Sequence, residues 1–315
     1  MYKKLYIVVP CYNEEEVLIE TSTRLLDKLN RMINSGLISS DSRIMFVNDG
    51  SKDNTWKVIK NLYNKNSIFS GVNLSRNKGH QNALLAGLMV AKDYCDFSIS
   101  LDADLQDDIE VLDKFVEEYN NGCDIVYGVR SKRETDTFFK RTTAVGFYKF
   151  MNKLGVDVVY NHADYRLMSK RALDGLAEFK EVNLFLRGLV PLIGYKSSCV
   201  EYERSERFAG DSKYPLKKML SFAFDGITSF SIKPIRFITL SGALIFTGSI
   251  ISLILILLNK LLGYTVQGWT SIIASIWLLG GIQLLSIGII GEYIGKIYNE
   301  TKARPKYIIE DILND

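Results

Sequence analysis

The chain has only two histidines, His80 and His162, and its four cysteines, Cys11, Cys95, Cys123 and Cys199, lie far apart without Cys-x-x-Cys spacing. A multi-histidine metal site, a zinc site and a disulfide framework are therefore not expected, and reduced thiols in a cytosolic compartment fit. Net charge is scarce too: 39 Lys and Arg against 36 Asp and Glu leave +3 over 315 residues. So small and dispersed an excess argues against a nucleic-acid partner. Neither GxGxxG nor GxxxxGK[ST] occurs, which argues against a dehydrogenase or a P-loop NTPase. There is no internal repeat or low-complexity tract. The basic start leads into a short apolar run closed by Pro10, which reads as a first strand and not as a cleaved signal peptide.

What is present divides into two halves suited to different solvents. With 47% hydrophobic residues the chain can build a core. Over the first 200 or so residues, short apolar runs alternate with amphipathic stretches, the pattern of an α/β fold. Strands are predicted at Leu5 to Pro10, Ile44 to Asn48, Ser70 to Leu74, Phe97 to Leu101 and Ile125 to Gly128, with helices such as Glu14 to Asn34 and Thr55 to Asn64 between them. A mostly parallel sheet with helices on both faces follows, and its ligands gather at the carboxyl ends of the strands.

The C-terminal third reads differently. Residues 237–258 and about 268–291 are uncharged and long enough to cross a hydrocarbon core of roughly 30 Å, which predicts a two-helix transmembrane hairpin. Lys217, Lys218, Lys233 and Arg236 precede it and Lys296, Lys302, Arg304 and Lys306 follow it, whereas the connecting loop has only Lys260. By the positive-inside rule both termini are expected to be cytoplasmic in a multi-pass protein of the cell membrane. Gly242, Gly248, Gly280, Gly281, Gly288 and Gly291 suit close helix contact or a homo-oligomer. The expected divisions are a catalytic domain at 1–213, a juxtamembrane amphipathic segment at 214–235, the hairpin at 236–292 and a tail at 293–315.

The strand ends carry the chemistry. After the fourth strand come Asp102, Ala103, Asp104, Leu105 and Gln106, hard oxygen donors that suit Mg²⁺ or Mn²⁺. A cation held by few protein carboxylates keeps positions open for a substrate's phosphates. Acidic pairs also cap helices, and Asp107 or Asp108 could cap the next one. The first strand empties into Pro10, Cys11, Tyr12, Asn13 and Glu14, and the second into Asn48, Asp49, Gly50, Ser51 and Asp53. A carboxylate such as Asp49 beside a tight Gly-Ser turn can take hydrogen bonds from a ribose or base, while Ser51, Asp53 or Thr55 could instead cap a helix. The third strand ends in Arg76, Asn77, Lys78, Gly79 and His80.

In order, Val-Pro-x-Tyr-Asn-Glu-Glu, Asn-Asp-Gly-Ser-x-Asp, Arg-Asn-x-Gly, Asp-Ala-Asp-Leu-Gln and Asp-Tyr-Arg-Leu-Met resemble inverting glycosyltransferases of family 2 with the GT-A fold. The likeness is greatest to the polyprenyl-phosphate branch, which includes dolichyl-phosphate mannose synthases and bactoprenol glucosyltransferases, and it extends to Arg304-Pro305-Lys306-Tyr307. It implies a nucleotide-sugar site of Pro10, Tyr12, Asn13, Glu14, Asp49, Ser51, Asp102, Ala103 and Asp104, with Asp102, Asp104 and Gln106 on the metal. It implies Asp164 at the reaction centre, although the family more often has glycine where Ala163 stands. It further implies that Arg207, Ser212 and Lys213 belong to a loop closing on the donor phosphates, where an Arg fork and a Lys point charge are apt. Arg130, Arg133 and Arg141 correspond to its acceptor-phosphate arginines, in a stretch where basic and aromatic residues mix as in interfacial helices.

The implied reaction is inverting transfer of a hexose, with UDP-glucose the first choice, to undecaprenyl phosphate at the cytoplasmic membrane face, supplying a lipid-linked sugar for cell-envelope glycosylation. UDP-galactose, UDP-N-acetylhexosamine and GDP-mannose are alternative donors. The implied partners are nucleotide sugar, polyprenyl phosphate, membrane, a lipid-sugar flippase and a second copy of the chain. The competing reading is a catalytically silent membrane scaffold that binds sugar nucleotide. A processive synthase would carry Gln-x-x-Arg-Trp, but none of Trp56, Trp269 and Trp277 follows an arginine.

Overall fold

Leu5–Cys11 (β1) is buried on both faces, as its unbroken apolar run requires of a central parallel strand. In the computed structural model, which describes residues 2–130, 162–182, 184–203 and 268–314 and scattered positions in 235–258, β1 lies near the middle of an eight-stranded sheet. Leu18–Asn34 (α1), Arg43–Asn48 (β2), Thr55–Lys65 (α2), Phe69–Leu74 (β3), His80–Ala91 (α3) and Phe97–Ser100 (β4) follow as alternating strands and helices. Leu112–Asn120 (α4) and Ile125–Arg130 (β5) continue the pattern. His162–Ser169 (β6), Lys170–Ala177 (α5), Leu186–Leu192 (α6) and Ser197–Tyr202 (β7) complete the described catalytic part before Trp269–Thr301 (α7) and Ile309–Leu313 (β8).

The strand order is β7-β5-β6-β4-β1-β2-β3-β8. Only β6 and β8 run against their neighbours; the other pairings are parallel. This mostly parallel sheet is GT-A-like, and the five strands expected from the sequence are all present with ends displaced by at most a few residues. Helix α1 begins at Leu18, later than expected, because Asn13 turns the chain at φ +53 and the next backbone N–H groups bond to the loop after β2.

Leu5, Ile7 and Val9 pack with α1 and α4 in the main core. On the opposite face α3 lies directly on β1 and β2: a Cβ added to Gly87 would come within 2.5 Å of both Val8 and Val47. Glycine there permits a helix-to-sheet approach that a larger residue would hold apart.

Among the described residues, those up to 203 and from 304 onward belong to one compact unit and those of 235–303 to a second. The final strand, in the segment expected as a tail, thus belongs to the eight-stranded sheet. In the second unit α7 has 33 residues, about 50 Å at a rise of ~1.5 Å per residue. Ile272, Ile276, Leu279, Leu284, Ile287, Ile290, Ile294 and Ile297 are exposed along it. Over residues whose side chains are described, no helix is long and apolar enough to cross a membrane. Most of the first predicted span and the 214–235 segment lie outside the described residues.

Candidate active site

The loops after β1, β2 and β3 are clasped together. Asn13 donates its backbone N–H to Ser51 Oγ at 3.0 Å and accepts from Lys52 N at 2.9 Å through Oδ1. Glu14 N donates to Thr55 Oγ1 at 2.9 Å, and Asn54 N donates to Glu15 Oε2 at 2.8 Å. Asp49 is buried, and its two oxygens accept from the backbone N–H groups of Lys78 (2.7 Å) and Gly79 (2.9 Å). Burial pushes its carboxyl up, partly offset by those two bonds. The first described role of Asp49 is thus to tie β2 to the β3–α3 turn, and Ser51 and Thr55 serve the clasp between loops. Tyr12 stands partly exposed beside it, and Pro10 is buried within β1.

After β4 the chain alternates. Asp102, Asp104 and Gln106 are partly exposed, and Ala103, Leu105 and Asp107 are buried. Leu105 adopts φ +57, and the Ala103 carbonyl accepts from Thr21 Oγ1 at 2.8 Å, which anchors the turn on α1. This alternation leaves the three predicted metal ligands partly open to solvent and buries the Ala103 side chain. Their oxygen-only chemistry fits a hard divalent cation. Among the described residues no three His, Cys, Asp or Glu side chains form a metal cage, so a cation here would draw further ligands from diphosphate or water.

Asp164 meets this turn because β6 runs antiparallel to β4, with Ser100 opposite Arg166. A strand of that direction begins where its parallel neighbours end, so its first residues lie at the ligand-bearing edge. Ser100 Oγ donates to the Asp164 carbonyl at 2.5 Å. Arg187 forks onto the carboxylate, Nε to Oδ1 at 3.3 Å and Nη2 to Oδ2 at 3.1 Å. His80 Nε2 lies 3.6 Å from Asp164 Oδ2 and 3.5 Å from Asp102 Oδ1, and Arg166 Nη2 lies 3.9 Å from Asp164 Oδ1. His80 therefore bridges the acidic turn and Asp164.

The charges reinforce one another. Burial alone would raise the Asp164 pKa, but Arg187, the His80 hydrogen bond and Arg166 hold it well below the usual carboxylate range. Burial would lower the His80 pKa, but Asp164 and Asp102 push it up to about 9. A carboxylate so surrounded is a standing negative charge and hydrogen-bond acceptor, poorly suited to take up a proton.

Arg130, at the end of β5, donates through Nε to Tyr202 Oη at 3.3 Å, and Tyr202 donates to Asp107 Oδ1 at 2.6 Å. Burial and the nearby Asp102 charge push Asp107 up to about 6. Arg130 is thereby linked to the acidic turn. Arg133, Arg141, Arg207, Ser212 and Lys213 lie outside the described residues.

Three residues around Asp164, namely His80, Arg166 and Arg187, are absent from the sequence-based site, and Arg166 was legible only as part of Asp-Tyr-Arg-Leu-Met. His80 carried a signal, its place directly after the third strand's glycine turn. Arg187 carried none, because it reaches the site through α6, whose first backbone N–H is held by Gln81 Oε1 at 2.9 Å.

A mostly parallel sheet with clasped loops and an acidic turn at its carboxyl edge offers a ligand site where such sheets bind their ligands. Residues 6–176 match the family described as Glycosyl transferase family 2. The chain is 59% identical over 312 residues to the uncharacterized glycosyltransferase YkoT of Bacillus subtilis (strain 168), covering 99% of this chain and 93% of that protein. It is 40% identical to the prophage bactoprenol glucosyl transferase homolog of Escherichia coli (strain K12), with 98% and 99% covered. It is 39% identical to the bactoprenol glucosyl transferase of Shigella phage SfV, with 98% of each covered. The chain belongs to glycosyl transferase family 2 and is a glycosyltransferase.

Proposed function

We propose that the protein transfers a hexose, glucose from UDP-glucose in the first instance, onto a polyprenyl phosphate at the cytoplasmic face of the cell membrane. The observation that carries the reading is the meeting of Asp102, His80, Asp164 and Arg187 at the edge where ligands of such sheets bind. Relatives named bactoprenol glucosyl transferase, similar over nearly the whole chain, support the lipid acceptor and the sugar.

In this reading an acceptor phosphate oxygen attacks the anomeric carbon. The bond from that carbon to the nucleoside diphosphate oxygen breaks, the electron pair leaves with the diphosphate, and configuration inverts. The nucleophile is already an anion, so no strong base is required, in keeping with the low Asp164 pKa. Asp164 and Arg187 orient sugar and acceptor, Arg130 meets the acceptor phosphate, and the loop at Asn13 and Ser51 holds the nucleoside. Mg²⁺ or Mn²⁺ on Asp102, Asp104 and Gln106 would neutralise charge on the departing diphosphate. The uncharged segments at 237–258 and 268–291, with basic flanks, form the membrane hairpin of this proposal.

The test is transfer of labelled sugar from a panel of UDP- and GDP-hexoses to undecaprenyl phosphate by the purified protein, with Mg²⁺, Mn²⁺ or EDTA. One donor should yield a lipid-linked sugar that EDTA abolishes; nucleotide binding with no transfer from any donor would leave a silent scaffold instead. Asp104→Asn should weaken cation-dependent UDP binding about tenfold or more, as expected for loss of one charged ligand, measured by calorimetry with and without Mn²⁺. Unchanged affinity would remove Asp104 from the cation site.

A further inference from the structure

We infer that the C-terminal strand is part of the donor site's support, with Glu310 a positioning residue for the loop that holds the nucleoside. This rests on the reading of Asn13 and Ser51 as donor contacts. Because β8 runs antiparallel to β3, its first residues lie at the ligand-bearing edge, with Ile309 opposite Leu74 and Asp311 opposite Asn73. Ser75 N donates to the Ile308 carbonyl at 3.0 Å.

From Glu310 an unbroken hydrogen-bond chain crosses three strands. Asn73 Nδ2 donates to Glu310 Oε2 at 2.8 Å, and Asn48 Nδ2 donates to Asn73 Oδ1 at 2.7 Å. Ser51 N then donates to Asn48 Oδ1 at 3.3 Å, and Asn13 N donates to Ser51 Oγ at 3.0 Å. Asn48 and Asn73 are buried, so each amide must match its neighbours.

An ionised carboxylate can only accept. Glu310 therefore makes Asn73 present its NH₂ outward and its carbonyl to Asn48. Asn48 must in turn give its NH₂ to Asn73, which leaves its own carbonyl for the Ser51 backbone. The charge at the start of β8 sets the direction of every amide in the chain and so the seat of the Gly50-Ser51 turn. Without it, both asparagines can turn over, and Ser51 N then faces a donor.

The experiment measures UDP affinity by calorimetry with Mg²⁺ on the full-length protein, together with donor KM and kcat. Glu310→Ala should weaken UDP binding and raise donor KM about fivefold, the scale of one net hydrogen bond, while kcat at saturating donor stays within about twofold. Glu310→Gln, which keeps an acceptor oxygen, should recover most of the affinity. Asp311→Asn, which loosens β8 by removing the 3.7 Å ion pair with Lys60 but leaves the chain intact, should bind UDP as the wild type does. Wild-type UDP affinity in Glu310→Ala, or an equal loss in Asp311→Asn, would overturn the inference. A wild-type protein that binds no UDP would strike the donor-site reading itself.

Discussion

Asp164→Asn should lower turnover by about 10²–10³-fold, the range for loss of a preorganised electrostatic group, while leaving UDP affinity close to the wild-type value. The reason is the division of the site. The Asp164 carboxylate is held by Arg187, His80 and Arg166 and reaches the turn at Asp102 through His80, whereas the loops of Asn13 and Ser51 are joined by hydrogen bonds of their own. The asparagine is nearly the same size, so the geometry survives and the negative charge does not. Single-turnover transfer and UDP calorimetry on the same preparation separate the two quantities. Parallel loss of both would sink the division.

The same substitution has a pH-dependent stability effect. Asp164 is almost wholly buried among cations, and removing its charge leaves Arg166 uncompensated, at a cost of about 3 kcal/mol. Its folded pKa lies below the unfolded value of about 3.9. The stabilisation is therefore fully present above that unfolded value and is lost as pH falls through the folded one. Melting temperatures of wild type and variant should differ at pH 7 and converge only in strong acid. A gap that closes near pH 6 would contradict the assigned charge state.

Gly50→Ala should cost about 3 kcal/mol or more, since it combines left-handed backbone strain with overlap. Gly50 has φ +60, and an added Cβ would fall 2.4 Å from Arg76 C and Asn77 N, both main-chain atoms that cannot swing aside. The β3–α3 turn, held by Asp49 through Lys78 and Gly79, would have to move away, and the donor loops with it. A fall in melting temperature of several degrees is expected, at about 2–4 °C per kcal/mol for a unit of this size, together with weaker UDP binding. Gly122→Ala is the matching control. It has φ +86, but its Cβ would meet only Lys196 Nζ at 3.8 Å, so it carries the backbone strain without the overlap. Equal losses in the two variants would show that the close approach at Gly50 has no energetic consequence.

The parallel strands were legible because strands buried on both faces need unbroken apolar runs, and Leu5–Cys11 and Arg43–Asn48 read that way directly. The acidic turn was legible for a similar reason: an apolar strand that ends in Asp102, Ala103 and Asp104 states its own chemistry. Strand β6 was not, since it carries Asp164 and Arg166 among its buried positions 164–169, and these polar residues hide the apolar pattern. Strand β8, the sequence Ile-Glu-Asp-Ile-Leu, resembles an ordinary polar terminus until β3 offers it an edge.

From sequence alone came the α/β class, the positions of the first five strands along the chain, the uncharged segments near the C-terminus and the residue types at each strand end. These are local properties, set by side-chain periodicity and by what a buried strand or a bilayer tolerates. Tertiary structure decided which ends meet: that β6 reverses and brings Asp164 near Asp102, that His80 bridges them, that Arg187 arrives from α6, and that the last strand returns to pair with β3. Such pairings depend on strand direction and through-space distance between residues remote in the chain, and neither quantity is written in any one stretch of sequence.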